Sequence, residues 1–129
     1  MKEKLSEWTS INREKNRIYI KFQGKMDVER ASILRDAYRD AINQAKPGFT
    51  TVTLAEDFQP GTPEVQTIVQ EMTEMAANRG ISHVARVVGE TPIGGMQINR
   101  LAKVRTTFPA KHFRTVEEAE DYLDNLDKS

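Results

Sequence analysis

Hydrophobic and polar residues follow two different patterns, and segments with one pattern alternate along the chain with segments of the other. Apolar Ile18, Ile20 and Phe22 occupy every second position in Arg17–Phe22, and Phe49–Leu54 mixes apolar residues with threonines and is rich in β-branched side chains, so both segments are predicted to be β-strands. After Pro63 the apolar residues instead recur at the i, i+3, i+4 spacing of an amphipathic helix. Because segments of the two kinds alternate along the chain, the pattern predicts an α/β fold.

The predicted elements follow the order ββαβαβαβα. The strands are Trp8–Asn12, Arg17–Phe22, Phe49–Leu54, Ile81–Val88 and Phe108–Phe113. The helices run from Val28 to about Ala45, from Pro63 to about Arg79, from about Thr91 to near Val104, and from Val116 to about Leu126. Because helices connect successive strands, we expect a single layer of mixed, mostly parallel sheet with four to five strands, packed with helices in one domain of residues 1–129.

Three of the helices carry a clear apolar stripe and a recognisable start. Asp27, Thr62 and Thr115 are suited to N-cap positions, and Gly80 is suited to end the second helix. Asn16 is suited to a tight turn between the first two strands. The predicted buried stripes are Ala31, Leu34, Ala37, Tyr38, Ala41 and Ile42; Val65, Ile68, Val69, Met72, Met75 and Ala76; and Val116, Ala119, Tyr122, Leu123 and Leu126.

Composition narrows the range of functions. Acidic and basic residues balance at 19 each, so no overall field favours nucleic acid. There is no cysteine and there are only two histidines, His83 and His112, so we expect no metal site and no cofactor. No segment resembles a signal peptide or reaches the length of a membrane span, so a cytoplasmic protein that does not cross a membrane is expected.

From about Ile18 to Leu126 the order and spacing of elements resemble the STAS domain, found in bacterial anti-anti-sigma factors and in the cytoplasmic tail of sulfate-type anion transporters. The segments that carry the resemblance are Gly24-Lys25-Met26-Asp27 at the end of a strand, the strand, loop and helix start from Leu54 to Val65, Asn78-Arg79-Gly80 before a strand, and the closing Phe113–Ala119.

The resemblance implies a non-enzymatic regulatory or protein-interaction module, which binds its partner through the loop and helix N-terminus around residues 60–69. In the sigma-regulating members, this loop carries Asp-Ser-Ser-Gly, and a partner kinase phosphorylates a serine in it. The matching segment here reads Gln59-Pro60-Gly61-Thr62 and lacks that motif. Thr62 carries the nearest hydroxyl and is therefore the candidate phosphorylation site.

The starts of two predicted helices suggest where a partner or an anion could bind. Thr62 and Thr91 both precede a proline, and helices that follow parallel strands begin at the same edge of the sheet. Their free N–H groups could bind an anion, although two ordinary N-caps would have the same sequence. The candidate partner- or anion-binding residues are Pro60, Gly61, Thr62, Glu64, Thr91, Gly94 and Gly95.

Other functions stay open. A small-ligand binder could hold a lipid or a phosphate-containing metabolite beside the third helix, where Gly94 and Gly95 permit close backbone approach and Met96 could line a groove. An enzyme with an unfamiliar site would use Thr62, Asp57 and His83. An exposed edge strand near Trp8 or Phe108 could also pair two copies into a homodimer.

Overall fold

The structure is a computed structural model that describes residues 2–6, 8–22, 26–55, 62–88 and 110–126. The strands in these ranges are β1 (Lys2–Ser6), β2 (Thr9–Asn12), β3 (Arg17–Lys21), β4 (Thr50–Leu54), β5 (His83–Val87) and β6 (Ala110–Phe113). The helices are α1 (Val28–Gln44), α2 (Pro63–Asn78) and α3 (Val116–Leu126). The predicted helix that begins near Thr91 lies outside the described residues.

The strands form one mixed sheet in the order β1-β2-β3-β4-β5-β6. β1, β2 and β3 are antiparallel, whereas β3, β4, β5 and β6 are parallel. This confirms the mixed, mostly parallel sheet, with β1 as one strand more than the expected four to five. Lys2–Ser6 is mostly charged and carries no strand pattern, and it is a strand because its backbone pairs with β2. The strand near Trp8 is therefore not an edge strand, contrary to the expectation, while β6 is one in the described sheet.

The helices cover both faces of the sheet. α1 and α2 pack on the face that carries Ile18 and Ile20, and α3 packs on the face that carries Tyr19 and Val52. The parallel strands that α1 and α2 connect are neighbours in sequence order, so two crossovers of the same hand place both helices on one face. α3 follows β6 and leads to no further described strand. It is therefore not part of a described crossover, and it packs on the face opposite to α1 and α2.

Most of the predicted stripes are buried. All six stripe residues of α1 are buried, and in α2 only Met75 remains partly exposed. In α3 the packing rests on Ala119 and Leu123, whereas Val116 is 39% exposed and does not belong to the core. Val116 is the first residue of α3, and the helix contacts the core only from Ala119 onwards. Among the described helices, none is both long and apolar enough to cross a membrane.

The central strand β4 is covered on both faces, which buries three threonines. Thr50, Thr51 and Thr53 are each no more than 9% exposed, although their hydroxyls are polar. Buried hydroxyls normally find hydrogen-bond partners in the protein or in ordered water. The strand therefore brings polar groups into an otherwise apolar interior on both sides of the sheet.

Candidate functional site

The first turn of α2 lies at the carboxyl edge of the parallel sheet, because the helix follows the end of β4 and returns antiparallel to it. Thr62 has an extended backbone at φ −76° and ψ 166°, and its Oγ1 accepts a hydrogen bond from the Val65 amide at 3.4 Å. Pro63 occupies the first helical position, where its missing N–H leaves no intrahelical bond unmade. Thr62 is therefore the N-cap that its sequence predicted.

This helix start is exposed on one side and anchored on the other. Thr62, Pro63, Glu64 and Thr67 are exposed, while Val65 is fully buried against the sheet. The Thr67 hydroxyl donates to the Pro63 carbonyl at 3.0 Å, which holds the exposed side chain close to the helix. The turn thus presents a polar surface whose backbone is anchored by Val65, which is buried in the core beneath it.

Glu64 gives this surface a negative charge. Its carboxylate is hydrogen-bonded by the Thr62 hydroxyl and by its own backbone N–H, and both contacts lower its pKa. The carboxylate is therefore ionised at neutral pH and interacts favourably with the positive end of the helix dipole. The Glu64 carboxylate thus interacts with N–H and O–H groups at the start of α2 that an external anion would otherwise use.

A second helix start lies at the same edge of the sheet. α1 follows the carboxyl end of β3, and its N-cap Asp27 accepts a hydrogen bond from the Arg30 amide at 2.8 Å. Asp27 and Glu29 are exposed, and Val28 between them is 43% exposed. These residues were predicted only as parts of a helix start. Acidic residues in the first turn of both helices, visible in the sequence, are the signal for an acidic edge.

An ion pair connects α1 and α2. Arg35 Nη1 of α1 lies 3.2 Å from Glu71 Oε2 of α2, and the two helices also share the core beneath them. Because both helices begin at the carboxyl edge of the sheet, this connection contributes to holding their exposed first turns in one arrangement.

The candidate site residues are only partly within the described chain. Thr62 and Glu64 lie together in the first turn of α2. Pro60, Gly61, Thr91, Gly94 and Gly95 lie outside the described residues. The predicted proximity of Thr62 to Thr91 therefore lies outside the described residues. The other described helix that begins at this edge is α1, whose N-cap is Asp27.

The two described residues of the enzyme hypothesis, Thr62 and His83, lie at opposite edges of the sheet. His83 begins β5 at the amino edge of the parallel strands, whereas Thr62 follows their carboxyl edge. Five strand residues separate these edges by roughly 13 Å at about 3.3 Å per residue. His83 Nδ1 lies 3.0 Å from Ser82 Oγ, and its ring meets Tyr122 edge-on at 6.2 Å. Asp57 lies outside the described residues, and within them no group of acids and histidines could hold a metal ion.

Comparison with known proteins reveals a similarity of fold. No family model matches the sequence, and no curated protein is similar to it. Among solved structures, the chain is similar to the anti-sigma factor antagonist SpoIIAA in its unphosphorylated form, with a TM-score of 0.57 and 18% sequence identity. The alignment covers 96% of each chain. The expected resemblance is thereby confirmed for the architecture, and the protein has a STAS-like fold.

Proposed function

We propose that this protein is a non-enzymatic regulatory module that binds a partner protein through the loop and helix start around residues 60–69. The observation that carries the proposal is the exposed, well-anchored first turn of α2 at the carboxyl edge of a STAS-like sheet. SpoIIAA, which shares this fold, antagonises an anti-sigma factor. Surfaces that are ordered before binding lose less conformational entropy when a partner docks.

The charge of this edge indicates the kind of partner. Glu64 is ionised and exposed, and Asp27 and Glu29 lie at the second helix start along the same edge. Val28 adds exposed apolar area beside these acids. A partner surface with lysine or arginine around an apolar residue complements this edge, and opposite charges increase the rate of association.

Thr62 is the proposed point of regulation. Its hydroxyl caps α2 and hydrogen-bonds the Glu64 carboxylate, and the side chain is exposed to a kinase. A phosphate on Thr62 would remove the hydroxyl proton that binds Glu64 and would place a second negative group beside that carboxylate. The helix dipole favours the phosphate, but the Thr62–Glu64 contact is lost, so phosphorylation changes both the shape and the charge of the docking surface.

A pull-down from the native cell tests the docking surface. The wild-type chain is compared with Glu64→Lys, which reverses the charge in the first turn of α2. Glu117→Lys is the matched control, since Glu117 is an exposed acid in the first turn of α3 on the other face of the sheet. The proposal expects a protein that is captured by the wild type and by the control but not by Glu64→Lys. Equal capture by all three chains contradicts it.

Thr62 and the alternative function need separate measurements. Intact mass and peptide mapping of protein from the native cell should locate a phosphate on Thr62, and an unmodified Thr62 in all growth conditions argues against the switch. Native mass spectrometry of freshly purified chain tests the rival, a binder of a lipid or a phosphate-containing metabolite. A stoichiometric co-purified metabolite would favour that rival over the protein-interaction function.

A further inference from the structure

A groove lies between the last turns of α1 and α2, at the opposite end of both helices from the proposed docking surface. Its volume is about 260 Å³. Each helix contributes three residues at the spacing i, i+3 and i+4, which places them on one face of that helix. These lining residues are Arg39, Ile42 and Asn43 of α1 and Met75, Asn78 and the C-cap residue Arg79 of α2.

An ion pair between the helices shows how the two walls of this groove are aligned. Arg35 Nη1 lies 3.2 Å from Glu71 Oε2, and both helices run from the carboxyl to the amino edge of the parallel strands. One helical turn further along each helix are Arg39 and Met75, and Arg79 follows Met75 by another turn. The two lining arginines therefore belong to opposite walls and are about 6 Å apart along the helix axes, at about 1.5 Å per residue.

The groove has an apolar floor and polar rims that are open to solvent. Ile42 is 3% exposed, and Met75 is partly buried against the core. The four polar lining residues are all exposed. Sites for small molecules usually enclose most of the ligand surface, so an open groove is better suited to a short segment of another protein. Arginine and methionine are both enriched where proteins bind one another.

The lining carries two positive charges and no negative one. Arg39 Nη1 lies 3.4 Å from Asp36 Oδ1, but both side chains are exposed, so this pair is weak. Within the described chain, the Arg79 side chain makes no hydrogen bond and no ion pair. Each helix end adds a negative charge of only about half an elementary charge. Its last carbonyls also accept from the backbone N–H groups of Ala45 and Arg79, so both guanidiniums are available to carboxylates.

We propose that this groove binds an acidic segment of a partner protein, with one apolar side chain over Ile42 and Met75 and carboxylates beside Arg39 and Arg79. The asparagine amides of the walls have donors and acceptors for the backbone of such a segment. The docking surface at the start of α2 is acidic and favours a basic partner, whereas this groove is basic. The two surfaces lie at opposite ends of the helices, so this site is independent of the proposed function and both can be occupied at the same time.

Titration of the purified chain with a blocked pentapeptide of four glutamates around a central leucine tests the proposal. Two-dimensional NMR of backbone amides and arginine Nε–H groups follows the binding. We expect saturable shifts of the Nε–H signals of Arg39 and Arg79 and of the Met75 amide. Absence of saturable shifts at these groups would overturn the proposal.

Two further peptides separate the contributions of charge and of the apolar anchor. A peptide with glutamine in place of every glutamate should bind at least about fivefold more weakly, because it loses both exposed ion pairs. A peptide with serine in place of leucine keeps the charge and should also bind more weakly. Equal binding of all three peptides contradicts the proposal.

Other occupants of the groove would give different results. Inorganic phosphate that produces the same saturable shifts and displaces the glutamate peptide would show a simple anion site. Signals of the lining residues that shift with protein concentration alone would show that a second copy of the chain fills the groove. Either result overturns the docking of an acidic segment.

A pair of charge reversals localises the binding. Arg79→Glu should weaken binding of the glutamate peptide at least about fivefold, because it replaces an attraction by a repulsion. The C-cap contacts of residue 79 are made by its backbone N–H, so the substitution leaves them in place. Arg114→Glu is the matched control, since Arg114 is an exposed arginine that follows the carboxyl end of β6. Unchanged binding in Arg79→Glu, or the same loss in both variants, contradicts a segment bound between α1 and α2.

Discussion

The side-chain amide of Asn16 is hydrogen-bonded to both backbone polar groups of Lys46. Its oxygen accepts from the Lys46 N–H at 2.9 Å, and its nitrogen donates to the Lys46 carbonyl at 3.0 Å. The carbonyl of Asn16 also accepts from the Thr50 amide at 3.1 Å. These contacts join the turn between β2 and β3 to the connection between α1 and β4, so one residue links the antiparallel and parallel parts of the sheet.

Replacing Asn16 should destabilise the protein through two separable causes. Asn16 has φ 53°, a conformation that glycine adopts freely. Asn16→Gly keeps this conformation and loses the two side-chain bonds, and we expect a loss of about 1–2 kcal/mol in the free energy of unfolding. Asn16→Ala adds the cost of the left-handed conformation, about 1–2 kcal/mol more. Urea denaturation measures both, and wild-type stability in Asn16→Gly would mean that the two bonds contribute nothing.

The buried Arg17 side chain joins β3 to α3 and should make stability depend on acid pH. Its Nη1 lies 2.5 Å from Glu120 Oε1 and its Nη2 lies 2.9 Å from Asp124 Oδ1. Burial alone would raise the pKa of Asp124, but the hydrogen bonds and charges of Arg17 and Lys15 outweigh it and lower the pKa. The unfolded chain therefore takes up this proton first as the pH falls below about 3.9, and stability declines until folded Asp124 is protonated.

The predicted acid dependence can be checked by measuring the free energy of unfolding of Asp124→Asn and of the wild type between neutral and strongly acid pH. The variant should be less stable than the wild type at neutral pH and should lose less stability on acidification. Asp121→Asn is the control, since Asp121 is an exposed acid of the same helix. If Asp124→Asn and the wild type decline in parallel, the ion pair with Arg17 does not contribute to the acid dependence.

The buried hydroxyl of Tyr38 should make the protein sensitive to alkaline pH. Tyr38 and Thr51 are 3% and 1% exposed, and their hydroxyl oxygens lie 3.0 Å apart. Burial raises the pKa of Tyr38 to about 12 from its ordinary value of 10.0. Tyrosine ionises first in the unfolded chain, so stability should fall as the pH rises from the ordinary value towards that of the folded state.

Tyr38→Phe tests this and the hydrogen bond together. The variant leaves Thr51 without its partner and should lose about 1–2 kcal/mol at neutral pH, but it should decline less steeply in alkali. In the double variant with Thr51→Val, both polar partners are removed, so the loss should be smaller than the sum of the single losses. Additive losses would mean that the two hydroxyls do not interact.

The Thr62 cap of α2 should contribute to the free energy of unfolding, apart from any role of Thr62 in docking. Thr62→Ala removes the hydroxyl that accepts from the Val65 amide, and we expect a loss of about 1 kcal/mol in the free energy of unfolding. Thr62→Ser keeps a hydroxyl and should retain most of the stability. Thermal or urea denaturation compares the two, and equal stability of Thr62→Ala and the wild type would show that the 3.4 Å contact does not stabilise the helix.

Local pattern was sufficient for the predicted elements within the described residues because each has a chemical cause close in the chain. Asp27 and Thr62 cap the helices that follow them, and Gly80 has the positive φ of 87° that ends α2. The strand Lys2–Ser6 was missed because its residues carry no alternation, and only its pairing with β2 makes it a strand. Val116 was assigned to the core because periodicity does not tell where along a helix the sheet begins.

The sequence by itself determined the alternation of strands and helices, their caps and the candidate helix start at Thr62, because propensity, periodicity and capping act between residues a few positions apart. Only the tertiary structure decided that the Tyr38 and Thr51 hydroxyls are hydrogen-bonded in the core, that the Asn16 side chain is hydrogen-bonded to the Lys46 backbone, and that Thr62 and His83 lie at opposite edges of the sheet. Strand register and the choice of face set these relationships, and both depend on contacts between residues distant in the chain.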